Sequence, residues 1–174
     1  MNPPSVLQPE NMHSLYLVSH PLEGYEGEDS AGAVRRFLSE MKKEGAKTIV
    51  VLLESAEIED LYKEIDLLQV YRTHDFEVLH FPFKYSRVPE NMEHFDEFIS
   101  SIVQRLKSRN ILAHCKTGCG RTGMIAAGVL IKLGWDTESA IEHIRDIRPG
   151  SLEVVKQLLF LRNYHKFLQI RNNQ

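Results

Sequence analysis

A glycine-rich stretch at residues 111–124, ILAHCKTGCGRTGM, combines a cysteine with groups that can bind an anion. Cys115 follows a short apolar segment, Arg121 comes six residues later, and three glycines stand at positions 118, 120 and 123. The amides of such a loop can turn inward to form an anion site, and a helix that begins directly after it adds the positive end of its dipole. Arg121 can hold two phosphate oxygens through its planar guanidinium. Because the same positive field favours a thiolate, the stretch predicts a phosphate site with Cys115 as nucleophile.

Other site types do not fit the same residues. Residues 118–123 match G-x-G-x-x-G, but a dinucleotide site needs a second strand ending in an acidic residue about 20 positions later. The stretch DTESAIEHIRDIR stands there and predicts a helix. The phosphate loop of nucleotide triphosphatases needs Lys and Ser or Thr where Met124 and Ile125 stand. Cys115 and Cys119 have no second ligand pair at zinc spacing, so we expect neither a metal nor a cofactor.

Strand and helix patterns alternate along the chain and would position this loop. Apolar, β-branched or alternating runs predict strands, and apolar residues at helical spacing predict helices. The predicted strands are 15–18, 48–53, 76–81 and 111–113; the predicted helices are 30–41, 57–69, 92–106, 122–133, 137–148 and a last one capped by Ser151. This order predicts an α/β domain with a central, largely parallel twisted sheet of about four to five strands flanked by helices. We expect residues 1–12, with three prolines, to be an irregular lead-in and residues 13–170 to form one domain.

The composition limits the partners and the compartment. The formal net charge of -3 comes without a block of Lys or Arg, so neither nucleic acid nor a membrane surface is an expected partner. The N-terminus lacks the apolar stretch of a signal peptide. The chain has only two cysteines, which favours a reducing compartment. We therefore expect a cytoplasmic protein, acting as a monomer.

The segment HCKTGCGRTG, residues 114–123, resembles the H-C-x-x-G-x-x-R-[ST]-G signature of the protein tyrosine and dual-specificity phosphatase superfamily. The segments IVVLLESAEIEDL, VLHFPFKYSRVPE and IRDIRPGSLEVVKQLLFL resemble the kinase-associated phosphatase group and its bacterial relatives. The resemblance covers roughly residues 13–168. It implies a three-layer domain like that of the dual-specificity phosphatases. It also implies hydrolysis of phosphotyrosine, or of phosphotyrosine together with phosphoserine and phosphothreonine, in proteins.

The resemblance also implies a role for each matching residue. Cys115 would form a phosphocysteine intermediate, and Thr122 would hydrogen-bond the departing thiolate. His114 would orient the loop, and Gln157 would position the hydrolytic water. Arg121 and the loop amides would hold the phosphate oxygens; the loop residues implied in substrate binding are Lys116, Thr117, Gly118, Cys119 and Gly120.

The sequence departs from the family pattern where the general acid is expected. Relatives read L-H-x-P-x-x-D-x-x-x-P, and here the segment 79–89 has Tyr85 at the aspartate position. A tyrosine, with an ordinary pKa near 10, is a poor proton donor to an ester oxygen at neutral pH. The candidate donors nearest in sequence are Glu90 and Asp75, besides Tyr85 itself; Glu54 and Asp60 are further alternatives.

Three alternatives to a protein phosphatase stay open, and the first and the third follow from this departure. Without an acid, the substrate could be one with a good leaving group, as for the RNA 5′-triphosphatases of the superfamily, whose only nucleic-acid contact would be the RNA 5′ end. Lys116 is shared with phosphoinositide phosphatases, so an inositol phosphate is a second alternative. A phosphoprotein-binding module without activity is the third. Separately, Cys119 stands four residues from Cys115 and could form a protective disulfide with it.

Overall fold

The structure, a computed structural model, describes residues 4–23, 29–63, 65–84 and 87–173. The strands are β1 (Ser5–Leu7), β2 (Leu15–Val18), β3 (Ala46–Val51), β4 (Glu77–His80) and β5 (Asn110–His114). The helices are α1 (Ser30–Lys43), α2 (Ser55–Tyr62), α3 (Leu67–Thr73), α4 (Met92–Leu106), α5 (Gly120–Lys132), α6 (Thr137–Ile147) and α7 (Val155–Asn172). Within these ranges, no helix has both the length and the apolar character needed to cross a membrane.

The five strands form one sheet in the order β1-β2-β5-β3-β4. β2, β5, β3 and β4 run parallel, and only β1 pairs antiparallel, with β2. β5 therefore lies at the centre, where Ala113 faces Leu17 of β2 on one side and Val50 of β3 on the other. The carboxyl ends of the parallel strands meet at one edge, which is where α/β sheets bind ligands. The predicted α/β class with a largely parallel sheet is confirmed.

Helices cover both faces of the sheet. One apolar core joins the sheet to α1, α2 and α3, and the other joins it to α4, α5, α6 and α7. Phe95 of α4 lies against α5, where a Cβ on Gly128 would meet its ring at 3.0 Å, so the glycine permits the close approach of the two helices. The eleven residues of α5 from Arg121 to Ile131 are all buried. The helix that begins at the glycine-rich loop is thus fixed in position by its surroundings on all sides.

Three local expectations differ from the structure. The lead-in 1–12 is not irregular throughout, because β1 adds a short edge strand at Ser5–Leu7 in which Val6 faces Tyr16. Three residues are too short a run for a strand pattern to be visible in the sequence. The predicted helix 57–69 is two helices, α2 and α3, and Asp66 caps the second by accepting the Gln69 N–H at 3.0 Å.

The start of the last helix also differs from the prediction. α7 begins after Val154, which makes no side-chain capping hydrogen bond, so Ser151 is not its cap. Ser151 is buried instead, and its N–H donates to the Arg148 carbonyl in the turn before α7. Leu152 in that turn has φ 57°, a left-handed conformation that costs a non-glycine residue energy. The Arg145 guanidinium holds the turn by donating to the Leu152 carbonyl at 2.8 Å.

Candidate active site

Cys115 lies at the carboxyl end of β5, where the chain turns into α5. Its side chain is fully buried, and the Gly118 N–H donates to its Sγ at 3.2 Å. The Thr122 hydroxyl lies 4.0 Å from the same sulfur. Gly118 has φ +73°, and a Cβ there would overlap the Val18 carbonyl oxygen. Only glycine can adopt this turn, and the turn is what aims an amide at the sulfur.

The Arg121 guanidinium is fully buried at the start of α5, and groups from two loops and from α2 hold it in place. Nη1 donates to the Leu52 carbonyl at 2.9 Å and to the Phe83 carbonyl at 3.0 Å. Nη1 and Nη2 also hold the two Glu57 carboxylate oxygens at 2.6 Å and 2.8 Å. Nε has no hydrogen-bond partner among the described residues. The edge formed by Nε and the second N–H of Nη2 is therefore free to bind an oxyanion in a bidentate manner.

Glu57, in the first turn of α2, is a site residue that the sequence reasoning missed. Its Oε2 accepts the Glu54 N–H at 2.9 Å as well as the Nη1 of Arg121. Burial acts to raise the pKa of Glu57, but the Arg121 hydrogen bond and charge outweigh it, and the net pKa lies below the ordinary 4.5. The carboxylate is therefore ionised at neutral pH. In the sequence, the spacing Glu54-x-x-Glu57 directly after β3 indicates the start of a helix, and it is the one feature that marks Glu57.

His114, the last residue of β5, is fully buried beside the nucleophile. Its Nε2 lies 3.1 Å from the hydroxyl of Tyr71, which belongs to α3. Burial, the largest cause, lowers the pKa of His114 to about 3 despite an opposing contribution from the Cys115 backbone, so the ring is neutral at physiological pH. Tyr71 belongs to no motif and was missed by the sequence reasoning.

Gln157 belongs to α7 and lies next to the glycine-rich loop. It is fully buried, and neither atom of its amide has a partner among the described residues. A Cβ on Gly120 would lie 3.3 Å from its Nε2, so the amide borders the first turn of α5. The structure thus brings together all five residues to which a catalytic role was assigned: Cys115, Arg121, Thr122, His114 and Gln157.

The outer part of the loop faces solvent and is anchored through its backbone. Lys116 and Thr117 are exposed. The Lys116 carbonyl accepts the His20 N–H at 3.3 Å, and the Thr117 carbonyl accepts Nη2 of Arg148 at 3.0 Å. Cys119 is half-buried, with its Sγ 3.5 Å from the Thr117 carbonyl. Both cysteines are free thiols in this structure.

The candidate general acids are separated by the fold. A cleft of about 530 Å³ opens between the loops that follow β3 and β4, and both Glu54 and Glu90 line it beside Phe83. Asp75 precedes β4, so it lies at the amino edge of the sheet, where it is exposed and pairs with Lys42 at 3.5 Å. The expectation that Asp75 could serve as the acid is wrong for this reason. Tyr85, the third candidate, lies outside the described residues.

Comparison with known proteins gives a family match over more than half of the chain. The family model described as "Tc-R-P: Polymorphic toxin system, DSP-PTPase phosphatase" matches residues 24–135. Protein tyrosine phosphatase type IVA 2 of Mus musculus is 25% identical over 174 residues, which cover 98% of this chain and 93% of that protein. Cyclin-dependent kinase inhibitor 3 of Homo sapiens is 29% identical over 148 residues, covering 82% and 68% respectively.

Solved structures share the fold over nearly the whole chain. A kinase associated phosphatase whose catalytic site cysteine is substituted by serine superposes with a TM-score of 0.78 at 25% identity, covering 90% of this chain and 88% of that one. Tk-PTP in its active form superposes with a TM-score of 0.71 at 23% identity, covering 95% and 99%.

Proposed function

The chain belongs to the protein tyrosine and dual-specificity phosphatase family, and we propose on that premise that it hydrolyses phosphotyrosine, or phosphotyrosine together with phosphoserine and phosphothreonine, through a phosphocysteine intermediate. The membership confirms the resemblance seen in the sequence. One observation carries the proposed mechanism: a loop amide points at the Cys115 sulfur while the Arg121 guanidinium keeps one edge free. A sulfur anion and a phosphate are the two groups that such a site stabilises.

In the first step the Cys115 thiolate attacks phosphorus in line with the ester oxygen. The S–P bond forms as the P–O bond breaks, and the alcohol leaves with a proton. The free edge of Arg121 and the loop amides bind the non-bridging oxygens, over which the transition-state charge is spread. Because Glu57 and two carbonyls already hold Arg121, the guanidinium binds without a large loss of side-chain entropy.

In the second step a water hydrolyses the phosphocysteine. Its oxygen bonds to phosphorus, its proton passes to the carboxylate that protonated the alcohol in the first step, the S–P bond breaks, and Cys115 departs as a thiolate. The Thr122 hydroxyl, 4.0 Å from Sγ, is placed to donate to that thiolate. The unpartnered amide of Gln157 at the edge of the loop supplies a donor and an acceptor that can orient the water.

We assign the proton for the leaving alcohol to Glu90. It lines the cleft beside Phe83, whose carbonyl accepts from Arg121, and it directly follows the segment 79–89 in which the resemblance places the acid. Glu54 lines the same cleft, but as the N-cap of α2 it is already part of the capping box with Glu57. Glu90→Gln should slow hydrolysis of phenyl phosphate by about 10²-fold and that of para-nitrophenyl phosphate much less, because the better leaving group needs less protonation. Glu54→Gln should change both rates little; the reverse pattern would transfer the role to Glu54.

The central experiment compares substrates and matched thiol variants. We expect metal-independent, vanadate-sensitive hydrolysis of para-nitrophenyl phosphate and of phosphotyrosine peptides. Cys115→Ser should abolish it, whereas Cys119→Ser exchanges the second thiol in the same loop, keeps the amide and should leave most of the activity. Phosphoserine peptides, triphosphorylated RNA and an inositol phosphate complete the series. A marked preference for either of the last two would contradict the protein substrate, and residual activity in Cys115→Ser equal to wild type would contradict the nucleophile.

The setting of the enzyme is also part of the proposal. We propose that residues 13–170 are the catalytic domain and that β1, which precedes this range, adds an edge strand to its sheet. We also propose that the chain acts as a monomer on phosphorylated proteins or peptides in the cytoplasm. The two free cysteines are compatible with a reducing compartment. Light scattering at assay concentration should return the monomer mass of 20.1 kDa; a stable dimer would contradict this part.

A further inference from the structure

The Ser151 side chain is a buried polar group that the mechanism above does not use. Ser151 is 1% exposed, and its Oγ has no hydrogen-bond partner among the described residues. A buried hydroxyl without a partner costs free energy, so such a group in a folded protein calls for an explanation. Ser151 lies in the turn that joins α6 to α7, and α7 carries Gln157, whose buried amide also has no partner in the described ranges.

The backbone of this turn is held in a strained conformation against the glycine-rich loop. Leu152 has φ 57°, which costs a non-glycine residue energy and persists only where the surroundings hold it. Arg145 holds it by donating from Nη2 to the Leu152 carbonyl at 2.8 Å and from Nε to the Ser151 carbonyl at 3.3 Å. A Cβ on Gly123 would lie 3.4 Å from the Ser151 Cβ, so the turn packs on the first turn of α5.

Ser151 and Gln157 border the same face of α5. A Cβ on Gly120 would lie 3.3 Å from Nε2 and 3.5 Å from Oε1 of Gln157. Gly120 and Gly123 are three positions apart, and Cβ positions at this spacing lie about 5–6 Å from each other on a helix. The Ser151 hydroxyl and the Gln157 amide do not bond to each other, because neither has a partner within the described residues. One water joins two atoms that are about 5.5 Å apart, twice the length of an O–H···O hydrogen bond, so it can bridge these groups.

We propose that Ser151 is a positioning residue that acts through Gln157: its hydroxyl holds a bridging water that fixes the orientation of the amide. The inference rests on the proposed function, because it assigns Ser151 to the second step of that reaction. The hydrolytic water donates a hydrogen bond while its oxygen faces phosphorus, so Oε1, the acceptor end of the amide, must face it. Nε2 then donates to the bridging water, which bonds in turn to Ser151. Without this second bond the amide is free to turn its N–H groups toward the hydrolytic water.

Ser151→Ala tests this inference because it removes only the hydroxyl. With the good leaving group of para-nitrophenyl phosphate, hydrolysis of the phosphocysteine limits kcat, whereas kcat/KM reports the steps up to release of the alcohol. We expect kcat to fall about fivefold, as for the loss of one hydrogen bond, while kcat/KM stays at the wild-type value and KM falls with kcat. Ser101→Ala is the matched control. The Ser101 hydroxyl donates to the Phe98 carbonyl at 2.8 Å within α4, so both constants should stay at the wild-type values.

Rapid mixing separates the two steps and distinguishes positioning from a merely structural role. Wild type and Ser151→Ala should release the first equivalent of para-nitrophenolate in a burst at the same rate, and the steady state that follows should be slower in the variant. In a Gln157→Ala background, Ser151→Ala should cause no further loss of kcat, because its effect passes through the amide.

The outcomes separate this inference from the proposed function. No burst in wild type would contradict the proposed function, and the inference with it. A normal burst with an unchanged kcat in Ser151→Ala, or a loss in kcat/KM as large as that in kcat, would overturn the inference alone. A full Ser151→Ala effect in the Gln157→Ala background would also overturn it.

Discussion

Replacing Glu57 by glutamine should weaken the binding of phosphate by Arg121 without changing any residue of the loop. The Arg121 side chain is 0% exposed and that of Glu57 is 24% exposed, and two hydrogen bonds of 2.6 Å and 2.8 Å join them. Glutamine has nearly the same shape and keeps one acceptor oxygen. What it removes is the negative charge that holds the guanidinium in place while Nε has no partner among the described residues.

The size of the effect follows from the role of Arg121 as a donor to the transition-state oxyanion. Losing one such donor costs about 2.7–4 kcal/mol in transition-state binding. The cost here should be smaller, because Glu57 is partly exposed and Arg121 retains the carbonyls of Leu52 and Phe83. We therefore expect a loss of about 2 kcal/mol in transition-state binding, which corresponds to a decrease of about 30-fold in kcat/KM.

Steady-state kinetics with para-nitrophenyl phosphate and inhibition by vanadate measure this effect. Both kcat/KM and vanadate affinity should decrease in Glu57→Gln, since the oxyanion loses a fixed guanidinium in each case. Glu138→Gln is the matched control, because Glu138 makes the same two-bond pairing with Arg162 on an exposed surface. If Glu57→Gln changed kcat/KM by less than about threefold, the claim that Glu57 presents Arg121 to the phosphate would be refuted.

Three further predictions concern pH, the loop and the scaffold. The pKa of Glu57 is lower in the folded protein than its ordinary 4.5, so its ionisation stabilises the fold above that pH. The difference in unfolding free energy between wild type and Glu57→Gln, measured by urea titration, should therefore be constant near neutral pH and shrink as the pH falls below about 4.5. Gly118→Ala should abolish activity, because the new Cβ would overlap the Val18 carbonyl. Gly134→Ala is the control: Gly134 also has a positive φ but has open space around it, so the change should lower only the Tm. Equal activities of the two variants would show that the turn does not need glycine at position 118. Asp96→Asn should destabilise the fold by about 3 kcal/mol in urea unfolding, because the buried carboxylate binds two cationic side chains, while kcat stays at the wild-type value.

The sequence predicted the parts of the site that lie close together in the chain. The apolar run before Cys115 predicted the strand, the three glycines predicted the loop, and the second apolar run predicted the helix. The three glycines have different surroundings: Gly118 has the positive φ that the turn needs, whereas Gly120 lies close to Gln157 and Gly123 close to the turn before α7.

The parts that the sequence did not predict depend on long-range packing. Glu57 lies 64 positions from Arg121, and the contact exists because β3 and β5 are neighbours whose carboxyl ends meet at one edge. Asp75 was wrongly considered because it is near the acid loop in sequence, although the four residues of β4 carry the chain across the sheet in between. Nearness in sequence was misleading here, because Asp75 and the loop after β4 lie at opposite ends of the same strand.

In the proposed mechanism, the Gly118 amide and Arg121 stabilise the Cys115 thiolate beside a bound phosphate. Alkylation by iodoacetate at about pH 6, followed residue by residue with mass spectrometry, tests it most directly, because only a thiolate reacts. We predict that Cys115 is alkylated at least tenfold faster than Cys119 and that vanadate or phosphate protects it. Equal rates at the two cysteines, or no protection by the anions, would contradict the account.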